Sequence, residues 1–527
     1  MMIVLRGGLA VGAAVGLSAC TVGPNYQRPP PADPPPLAFK ETTGPVIGAA
    51  ADFRPALPRD TIDRGPWWTM YGDPVLDGIA PMIDISNQTL IQAEANYRVA
   101  RALVRQDASG LYPTVTATAQ FTQSGRGSSA SGSSTTNAGG FVTAGTGSSL
   151  SQFSTGPQLA WPIDVWGRIR RQIEADSASA QASASDLANA RLSAQSSLAT
   201  DYFSMRNAEQ QIKLYQDTVA AYTRSLQIVD NQVNAGIASG LDLAQARTQL
   251  EQARALLIGA NINRATFEHA IAVQVGKAPA EFSIEPGPPP PDVPTLDGGV
   301  PTALLERRPD IAAAERLMAS ANAQIGVAQA AFYPSFTLNA SMSFISGGLG
   351  ALLQLSNAVW SVGPQMAATL IDGGALKAQV ESARAKYDSQ VAGYRQTILV
   401  AFQQVEDALV QQRVLIQQEQ VQRAAVAAAE EAVTLSLNQY TQGTIAYTTV
   451  VTSQTAALTA QQTLLSIRLS RLTASANLVI ALGGGWNDTD MPAPYAIGGI
   501  NQAPQPPMPT TQSLGATNKP WWKFWGR

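Results

Sequence analysis

Few side chains in this sequence could take part in covalent, metal-binding or acid–base chemistry. The 527 residues include one cysteine, Cys20, and one histidine, His269. One thiol allows neither an internal disulfide nor a thiolate metal site, and one histidine cannot form a histidine metal cluster. A lone histidine in a helical pattern is usually structural, and no cluster of acids in a loop marks an active site. The sequence therefore predicts no metal site and no enzyme.

Cys20 lies at the end of a segment that is typical of a secretion signal. Residues 1–19 carry one positive charge, Arg6, and then an apolar run too short to span a membrane as a mature helix. Residues 17–20, LSAC, resemble the lipobox of bacterial lipoproteins, which implies cleavage before Cys20, S-diacylglycerol on its sulfur and an N-palmitoyl group on its amino group. Two or more acyl chains anchor a protein stably. Thr21 rather than aspartate follows, which by the same resemblance favours the outer membrane. The alternative is an ordinary signal peptide with a chance cysteine.

Charge and hydropathy exclude two further classes of protein. The formal net charge of −3 argues against nucleic acid as a partner. No segment after the signal has 18 or more uninterrupted apolar residues, so the sequence predicts no helical membrane span. If the chain crosses a membrane, it must do so with β-strands.

The elements that would position any functional residue occur in two copies. GLYPTVTAT at 110–118 recurs as AFYPSFTLN at 331–339, a shift of 221 residues, and NQVNAG at 231–236 recurs as NQYTQG at 438–443, a shift of 207. Asp164, after the strands of the first copy, maps to Asp372, a shift of 208, and the fall from 221 to 208 places about 13 extra residues in the strand region of the first copy. Each copy contains a helix (86–109 and 310–331), two extended segments, a very long helix, a glycine turn and a returning helix.

The very long helices are predicted by the absence of helix-breaking residues. Residues 168–235 contain no glycine or proline, and residues 375–442 contain only Gly393. Each run of about 68 residues would form a helix of roughly 100 Å. A compact domain does not need such a helix, whereas a conduit or a strut does.

Alternating segments predict β-strands that could face lipid. Residues 335–344 read SFTLNASMSF, and 361–370 and 115–121 alternate in the same way. This is the length and pattern of transmembrane strands, although a soluble hairpin on a core alternates too. Two strands per copy give four per chain, and four strands with open edges cannot lie in lipid, so a barrel must be shared between chains. The Gly/Ser-rich residues 124–152 are predicted to be a flexible surface loop.

Short motifs occur in a fixed order over nearly the whole mature chain: Cys20 followed by TVGPNYQRP, WWTMYGDPVL at 67–76, YP at 112–113 and 333–334, ERRPDIAAAE at 306–315, and the turns VNAGIASGLDLAQA and YTQGTIAYTTV. Together they resemble the TolC family of outer-membrane channels, in particular its lipidated NodT-like and OprM-like efflux branch. The resemblance implies an α+β membrane protein. It would be a homotrimer with a shared 12-stranded transmembrane β-barrel, a long periplasmic α-helical barrel and two internal repeats per chain.

The resemblance also implies a function. The protein would be a passive exit duct for drugs or other small molecules, lipid-anchored in the outer membrane and extending into the periplasm. A periplasmic adaptor and an inner-membrane RND-type pump would deliver the substrate. The alternatives are a TolC-like duct for type I protein secretion and a periplasm-spanning structural lipoprotein without a pore. The lipobox and the GPNY, WW…DP and RRPDI motifs favour the efflux branch.

The tip of such a duct must close when no pump is attached. In the family, an aspartate after the first tip turn hydrogen-bonds a tyrosine before the second, and Asp242 and Tyr440 match these positions when counted from Gly236 and Gly443. The two glycines would form the tip turns that contact the adaptor. The alternative for Asp242 is an acid that stabilises the start of the returning helix.

This sequence departs from the family at the constriction. Thr449 and Thr452 occupy the positions where some members carry an aspartate pair, and Ile445 replaces an arginine. The sequence therefore predicts weak block of the channel by divalent or hexammine cations.

The chain divides into six predicted segments: a lipoprotein signal peptide (1–19), an acylated tether and equatorial segment (20–85), a first repeat (86–276), a Pro-rich connector and equatorial segment (277–309), a second repeat (310–485) and a disordered tail that ends in WWKFWGR (486–527).

Overall fold

The computed structural model describes residues 21–30, 39–40, 66–125, 149–289, 293, 308–484, 491–493 and 497. Cys20 and the signal segment, most of the predicted surface loop and the WWKFWGR end lie outside these residues. In chain order the described elements are α1 (Pro74–Ile79), α2 (Ile83–Ser86), α3 (Gln88–Ser109), β1 (Thr114–Gly125), β2 (Ser149–Ile163), α4 (Arg168–Asn234), α5 (Gly240–Gln274), α6 (Pro309–Ala330), β3 (Ser335–Ser346), β4 (Ala358–Ala367), α7 (Ala375–Thr441) and α8 (Tyr447–Ala481).

The predicted internal repeat is confirmed element by element. Helices α4 and α7 have 67 residues each, and α5 and α8 have 35 residues each. Both pairs are related by a shift of 207 residues, whereas α3 and α6, and β1 and β3, are related by a shift of 221. The long helices are therefore roughly 100 Å in length, as the lack of glycine and proline predicted.

Each long helix begins at an aspartate and a glycine in the left-handed conformation. Gly167 has φ 79° and Gly374 has φ 95°. The Asp164 carboxylate accepts from the backbone N–H groups of Ile169 and Arg170, and Asp372 accepts from those of Gly374 and Leu376. The chain can therefore turn from the end of a strand directly into a helix, because these carboxylates satisfy donors that the first helical turn leaves free.

The four strands form one antiparallel sheet in the order β1-β2-β3-β4. Its ends differ from the prediction in two places. Residues 124–125 and 149–152 belong to strands rather than to the loop 124–152, because residues 122–125 pair with residues 149–152 across the β1–β2 hairpin. Strand β4 covers Ala358–Ala367 rather than 361–370, because its pairing with β3 runs from Ala358, opposite Phe344, to Ala367, opposite Ser335, the first residue of β3.

The helices pack in two antiparallel pairs. Helix α4 packs along α5, α7 packs along α8, and α8 also contacts α4. Near the sheet, α3 packs on α4, and α6 lies against both α4 and α7. Among the described helices, α8 alone has the length and composition of a membrane span, and less than half of its most apolar stretch is buried.

The largest apolar core among the described residues lies beside the middle of α4. Trp67, Trp68 and Tyr71 are buried there against α1, α4, α5 and α8. The Trp67 indole donates to Gln195, and the Tyr71 hydroxyl contacts the Ser475 hydroxyl at 2.9 Å. The WW motif therefore fixes the early segment of the chain to the ends of both returning helices.

Candidate channel wall and tip gate

One face of the sheet is apolar across all four strands. Residues that pair directly share a face, and the register opposes Phe121 to Phe153, Val115 to Leu159 and Trp360 to Met342. The large apolar side chains on this face that are exposed include Val115, Phe121, Trp161, Ile163, Met342, Trp360, Val362 and Met366. The predicted alternation is therefore confirmed, and the sheet presents a continuous surface that a lipid bilayer would cover.

The opposite face is polar and is linked by side-chain hydrogen bonds. The Asn339 amide donates to Gln365 at 3.1 Å, and the hydroxyls of Ser341 and Ser361 are 2.9 Å apart. The Gln158 amide donates to the Thr118 hydroxyl at 3.5 Å. Uncharged polar groups that are satisfied in this way suit the water-filled side of a barrel wall.

The two tip turns are nearly identical. Gly236 (φ 73°) and Gly443 (φ 75°) follow the long helices, and the N–H groups of Ile237 and Thr444 donate back to carbonyls five residues earlier. This is the Schellman pattern, which requires a left-handed residue and so favours glycine. A Cβ at either glycine would meet nothing within 4 Å, so both turns are open to solvent.

Asp242 lies at the start of α5, where it forms a capping box with Ser239. Its carboxylate accepts from the Ser239 backbone N–H at 3.1 Å, and the Ser239 hydroxyl accepts from the Asp242 backbone N–H at 3.3 Å. The aspartate therefore stabilises the first turn of the helix. A hydrogen bond to the Tyr440 hydroxyl is not formed in this single chain.

Tyr440 is buried in an apolar cluster at the tip. Its ring lies 5.0 Å from that of Tyr447, and Val229, Ala246 and Val450 complete the buried part of the cluster. The Tyr440 hydroxyl has no hydrogen-bond partner among the described residues. Burial, and after it the negative charge of Asp242, raises its pKa. The structure thus brings the two predicted gate residues close enough to interact electrostatically but not to bond.

Two buried residues that the sequence did not predict join the helix pair α4/α5 to the pair α7/α8 near the tip. Gln454 of α8 donates to the Ser225 hydroxyl of α4 at 3.0 Å, and both side chains are buried. Burial raises the pKa of nearby Tyr222 to about 12, and its hydroxyl has no partner among the described residues. Ser225 lies eleven residues before Gly236 and Gln454 eleven after Gly443, so equal distance from the turn glycines was the signal that could have revealed the contact.

At the family's constriction positions the described side chains are uncharged. Ile445 packs on the tip cluster, and Thr452 donates to the Thr448 carbonyl at 2.9 Å. Within the described part of the chain, no group of three or more His, Cys, Asp or Glu side chains could hold a metal ion.

The segment that follows Cys20 is held where the sheet meets the helices. The Val22 N–H donates to the Trp166 carbonyl, and the Arg171 guanidinium donates to the Val22 and Gly23 carbonyls. Gly23 has φ 107°, and a Cβ there would lie 2.4 Å from the Gly326 Cα. Residue 21 therefore lies beside the start of α4, a few residues after β2 ends.

Comparison with known proteins agrees with this architecture. The model of the family "Outer membrane efflux protein" matches residues 82–277 and 300–484. The chain is 31% identical over 488 residues to "Probable efflux pump outer membrane protein TtgC" of Pseudomonas putida, covering 91% of this chain and 95% of the relative. It is 27% identical to "Cation efflux system protein CusC" of Escherichia coli, covering 90% of this chain and 97% of that one.

Solved structures give the same result. The outer-membrane channel OprN has a TM-score of 0.76 at 26% identity, covering 89% of this chain and 100% of that one. The open state of the MtrE outer membrane channel of Neisseria gonorrhoeae has a TM-score of 0.72 at 26% identity, covering 89% of this chain and 99% of that one. The two family matches each span one of the structural repeats, and the sheet, the paired long helices and the glycine tips recur in the predicted order. The chain belongs to the outer membrane efflux protein family, the TolC family of outer-membrane channels, and is an outer-membrane exit channel for efflux.

Proposed function

We propose that the chain works as a homotrimer in which three sheets close one 12-stranded β-barrel and the long helices enclose a duct through the periplasm. The observation that carries this proposal is the sheet, whose strands β1 and β4 are open edges and whose apolar face is exposed. In lipid, each unpaired backbone group of an open edge costs several kcal/mol. Edge-to-edge pairing of three copies removes every open edge.

The duct would conduct passively as the last component of a tripartite system. A periplasmic adaptor would join it to an inner-membrane RND-type pump, and drugs or other small molecules would be the substrates. Relatives whose names are those of antibiotic, toluene and solvent efflux pump proteins support this substrate class. The uncharged side chains at 445, 449 and 452 support small organic molecules over metal cations as cargo.

The tip would be the gate. Asp242 would exchange its capping-box bond for a bond from the Tyr440 hydroxyl when the trimer closes, since that hydroxyl is buried without a partner among the described residues and the two groups are close. The open turns at Gly236 and Gly443 would be the surface that meets the adaptor, because no described residue covers either glycine.

Cys20 would carry the N-palmitoyl and S-diacylglycerol groups that hold the amino terminus in the outer membrane. The position of Val22 beside Trp166 supports this, because Thr21, the residue before it, lies against Gly167 near the end of the strands, where a bilayer surface would lie. The lipid would assist targeting and assembly rather than provide the only attachment, so Cys20→Ser behind a plain signal peptide should keep partial activity.

Drug susceptibility tests the proposed role. Deleting the gene should sensitise the cell to several unrelated small molecules, and the full chain should restore resistance only when the adaptor and pump are present. Loss of a secreted protein with unchanged drug susceptibility would instead favour type I secretion and would contradict the efflux role.

A further inference from the structure

A buried glutamate between α7 and α8 is surrounded by three arginines. Glu419 is 3% exposed. It accepts from Arg423 Nε at 3.0 Å, from Arg468 Nε at 3.1 Å and, through its other oxygen, from Arg471. Burial alone would raise the pKa of Glu419, but the arginines outweigh it and the net pKa is lowered. We call these four residues the Glu419 cluster; it contains three positive charges and one negative charge.

The first repeat does not contain this cluster. At a shift of 207 residues, Glu419, Arg423 and Arg468 correspond to Ile212, Gln216 and Asn261. The first repeat has instead an ion-pair network with no net charge, in which two arginines pair with two glutamates: Arg206 and Arg264 with Glu209 and Glu268. Those arginines also donate to the carbonyls of Ile284 and Glu285, so they hold the connector in place. The second repeat thus has an excess of positive charge at the Glu419 cluster, and holding the connector in place does not explain it.

The arginines of the cluster keep donors that no described residue uses. Arg468 donates through Nε and Arg471 through Nη1, so both Nη groups of Arg468, and Nε and Nη2 of Arg471, remain available. Arg423 donates through Nε and Nη2, so its Nη1 group remains available. The side chains of Arg423, Arg468 and Arg471 are 52%, 43% and 21% exposed. Solvent can therefore reach guanidinium groups that Glu419 holds around a single carboxylate.

Other helices at the same level do not neutralise this charge. Glu419 lies 24 residues before Gly443, and contacts such as Ser225–Gln454 show that equal counts from the turn glycines mark equal levels. Within seven residues of this level, roughly 10 Å along the helices, the four long described helices carry eight basic and three acidic residues: Arg206, Lys213, Arg254, Arg264, Arg413, Arg423, Arg468 and Arg471 against Glu209, Asp217 and Glu419. Two further acids lie just outside this band and pair with arginines inside it, Glu251 with Arg254 and Glu268 with Arg264.

The two other acids in this band already have partners. Glu209 pairs with Arg206 and Arg264, and Asp217 lies 3.6 Å from Lys213. In the proposed trimer, copies related by an axis along the helices would bring the same residues to the same level. A neighbouring copy would therefore bring no unpaired carboxylate from this band to the cluster.

We propose that the Glu419 cluster is a binding site for a solute oxyanion, a phosphate or a carboxylate, held by the free guanidinium donors of Arg468, Arg471 and Arg423. Planar guanidinium groups bind such oxyanions through paired, charge-assisted hydrogen bonds. Glu419 positions the arginines and occupies part of their donor set. Glu419 lies about a third of the way from the tip end to the far end of α7, which spans Ala375–Thr441, and so away from the predicted gate.

The test is the binding of inorganic phosphate to the purified full-length protein at constant ionic strength, with chloride as the balancing anion. Saturable binding is expected. Arg423→Gln and Arg468→Gln should each weaken it by about tenfold, the effect of one charge-assisted hydrogen bond. Lys213→Gln is the matched control, since it removes a charge from the same band outside the cluster and should leave binding unchanged.

Glu419→Gln should strengthen phosphate binding, because it removes the resident carboxylate that competes for the same arginines. The Glu419→Gln variant should have a lower melting temperature than the wild type, and added phosphate should raise that temperature again. If that variant does not fold, the half-exposed Arg423 and Arg468 variants decide the question. The proposal is overturned if the wild-type protein binds no more phosphate than the Arg423→Gln/Arg468→Gln double variant, or if Lys213→Gln loses as much binding as they do. The charges that a neighbouring copy brings to the cluster depend on the proposed trimer, so the conductance of the double variant is measured too. Normal conductance without phosphate binding in the wild-type protein would reject the oxyanion site and leave the proposed channel function standing.

Discussion

At the scale of single residues, Asp242 has two roles that predict different phenotypes. In the described chain it closes a capping box with Ser239, and its charge lies close to the buried Tyr440 hydroxyl. A capping residue contributes about 1 kcal/mol to the stability of its helix. A gate residue would in addition hold the trimer closed.

Asp242→Ala together with Tyr440→Phe should raise conductance and sensitivity to large antibiotics, because it removes both partners of the proposed gate. Ser239→Ala is the matched control, since it breaks the capping box and leaves the Asp242 charge in place. Single-channel recording compares the two proteins. Equal conductance in the double variant, the control and the wild type would limit Asp242 to its capping role.

Asp176 provides a second prediction at this scale. Burial, and after it a hydrogen bond with Asp107, raises its pKa from 3.8 to about 6. The folded state therefore favours the neutral carboxyl, so the stability that this group contributes is fully present at low pH and is lost as the pH rises through about 6.

Asp176→Asn should remove this dependence, so that its melting temperature falls less than that of the wild type between about pH 4 and 7. Asp217→Asn, whose parent side chain is 71% exposed, serves as the control and should follow the wild type. Identical pH profiles for Asp176→Asn and the wild type would show that the carboxyl pair is not linked to folding.

At the scale of elements, two adjacent residues of strand β4 have side chains on opposite faces of the sheet. Val362 lies on the apolar face, and Ser361 lies on the polar face, 2.9 Å from Ser341. A lysine on the lipid side of a barrel costs about 2–4 kcal/mol near the middle of the bilayer, whereas a side chain that faces the lumen meets water.

Val362→Lys should therefore reduce the yield of membrane-inserted trimer severely, and Ser361→Lys should be tolerated. Folding into lipid vesicles, read as heat-resistant trimer on gels, measures the difference. Equal yields would mean that the apolar face does not meet lipid.

The segment after Cys20 is a second element whose role can be tested. Gly23 needs a positive φ and lies against Gly326, so Gly23→Ala adds backbone strain of about 1–3 kcal/mol and a steric clash. We expect a lower melting temperature and weaker membrane association. Gly78→Ala, whose Cβ would meet nothing within 4 Å, should behave like the wild type. Normal behaviour of Gly23→Ala would show that this segment is not fixed in the membrane-bound protein.

At the scale of the whole molecule, the sequence was informative where local pattern decides structure. The long helices follow from runs without glycine or proline, the strands from alternation, and the tips from glycines at equal positions in two repeats. The strand ends at Gly125 and Ala358 were missed, because pairing with another strand decides them rather than local composition. The Glu419 cluster and the hydrogen bond between Arg171 and the Val22 carbonyl were not predicted, because they join residues about 50 and 150 positions apart, which no local pattern encodes.

The central claim is that three copies of this chain close one pore. Planar-bilayer recording from purified trimer tests it most directly. We expect discrete current steps of one unitary size, a weak block by divalent or hexammine cations, and no steps from protein kept monomeric. Purified trimer that inserts into the bilayer and produces no discrete steps would contradict the claim and would favour a structural lipoprotein without a pore.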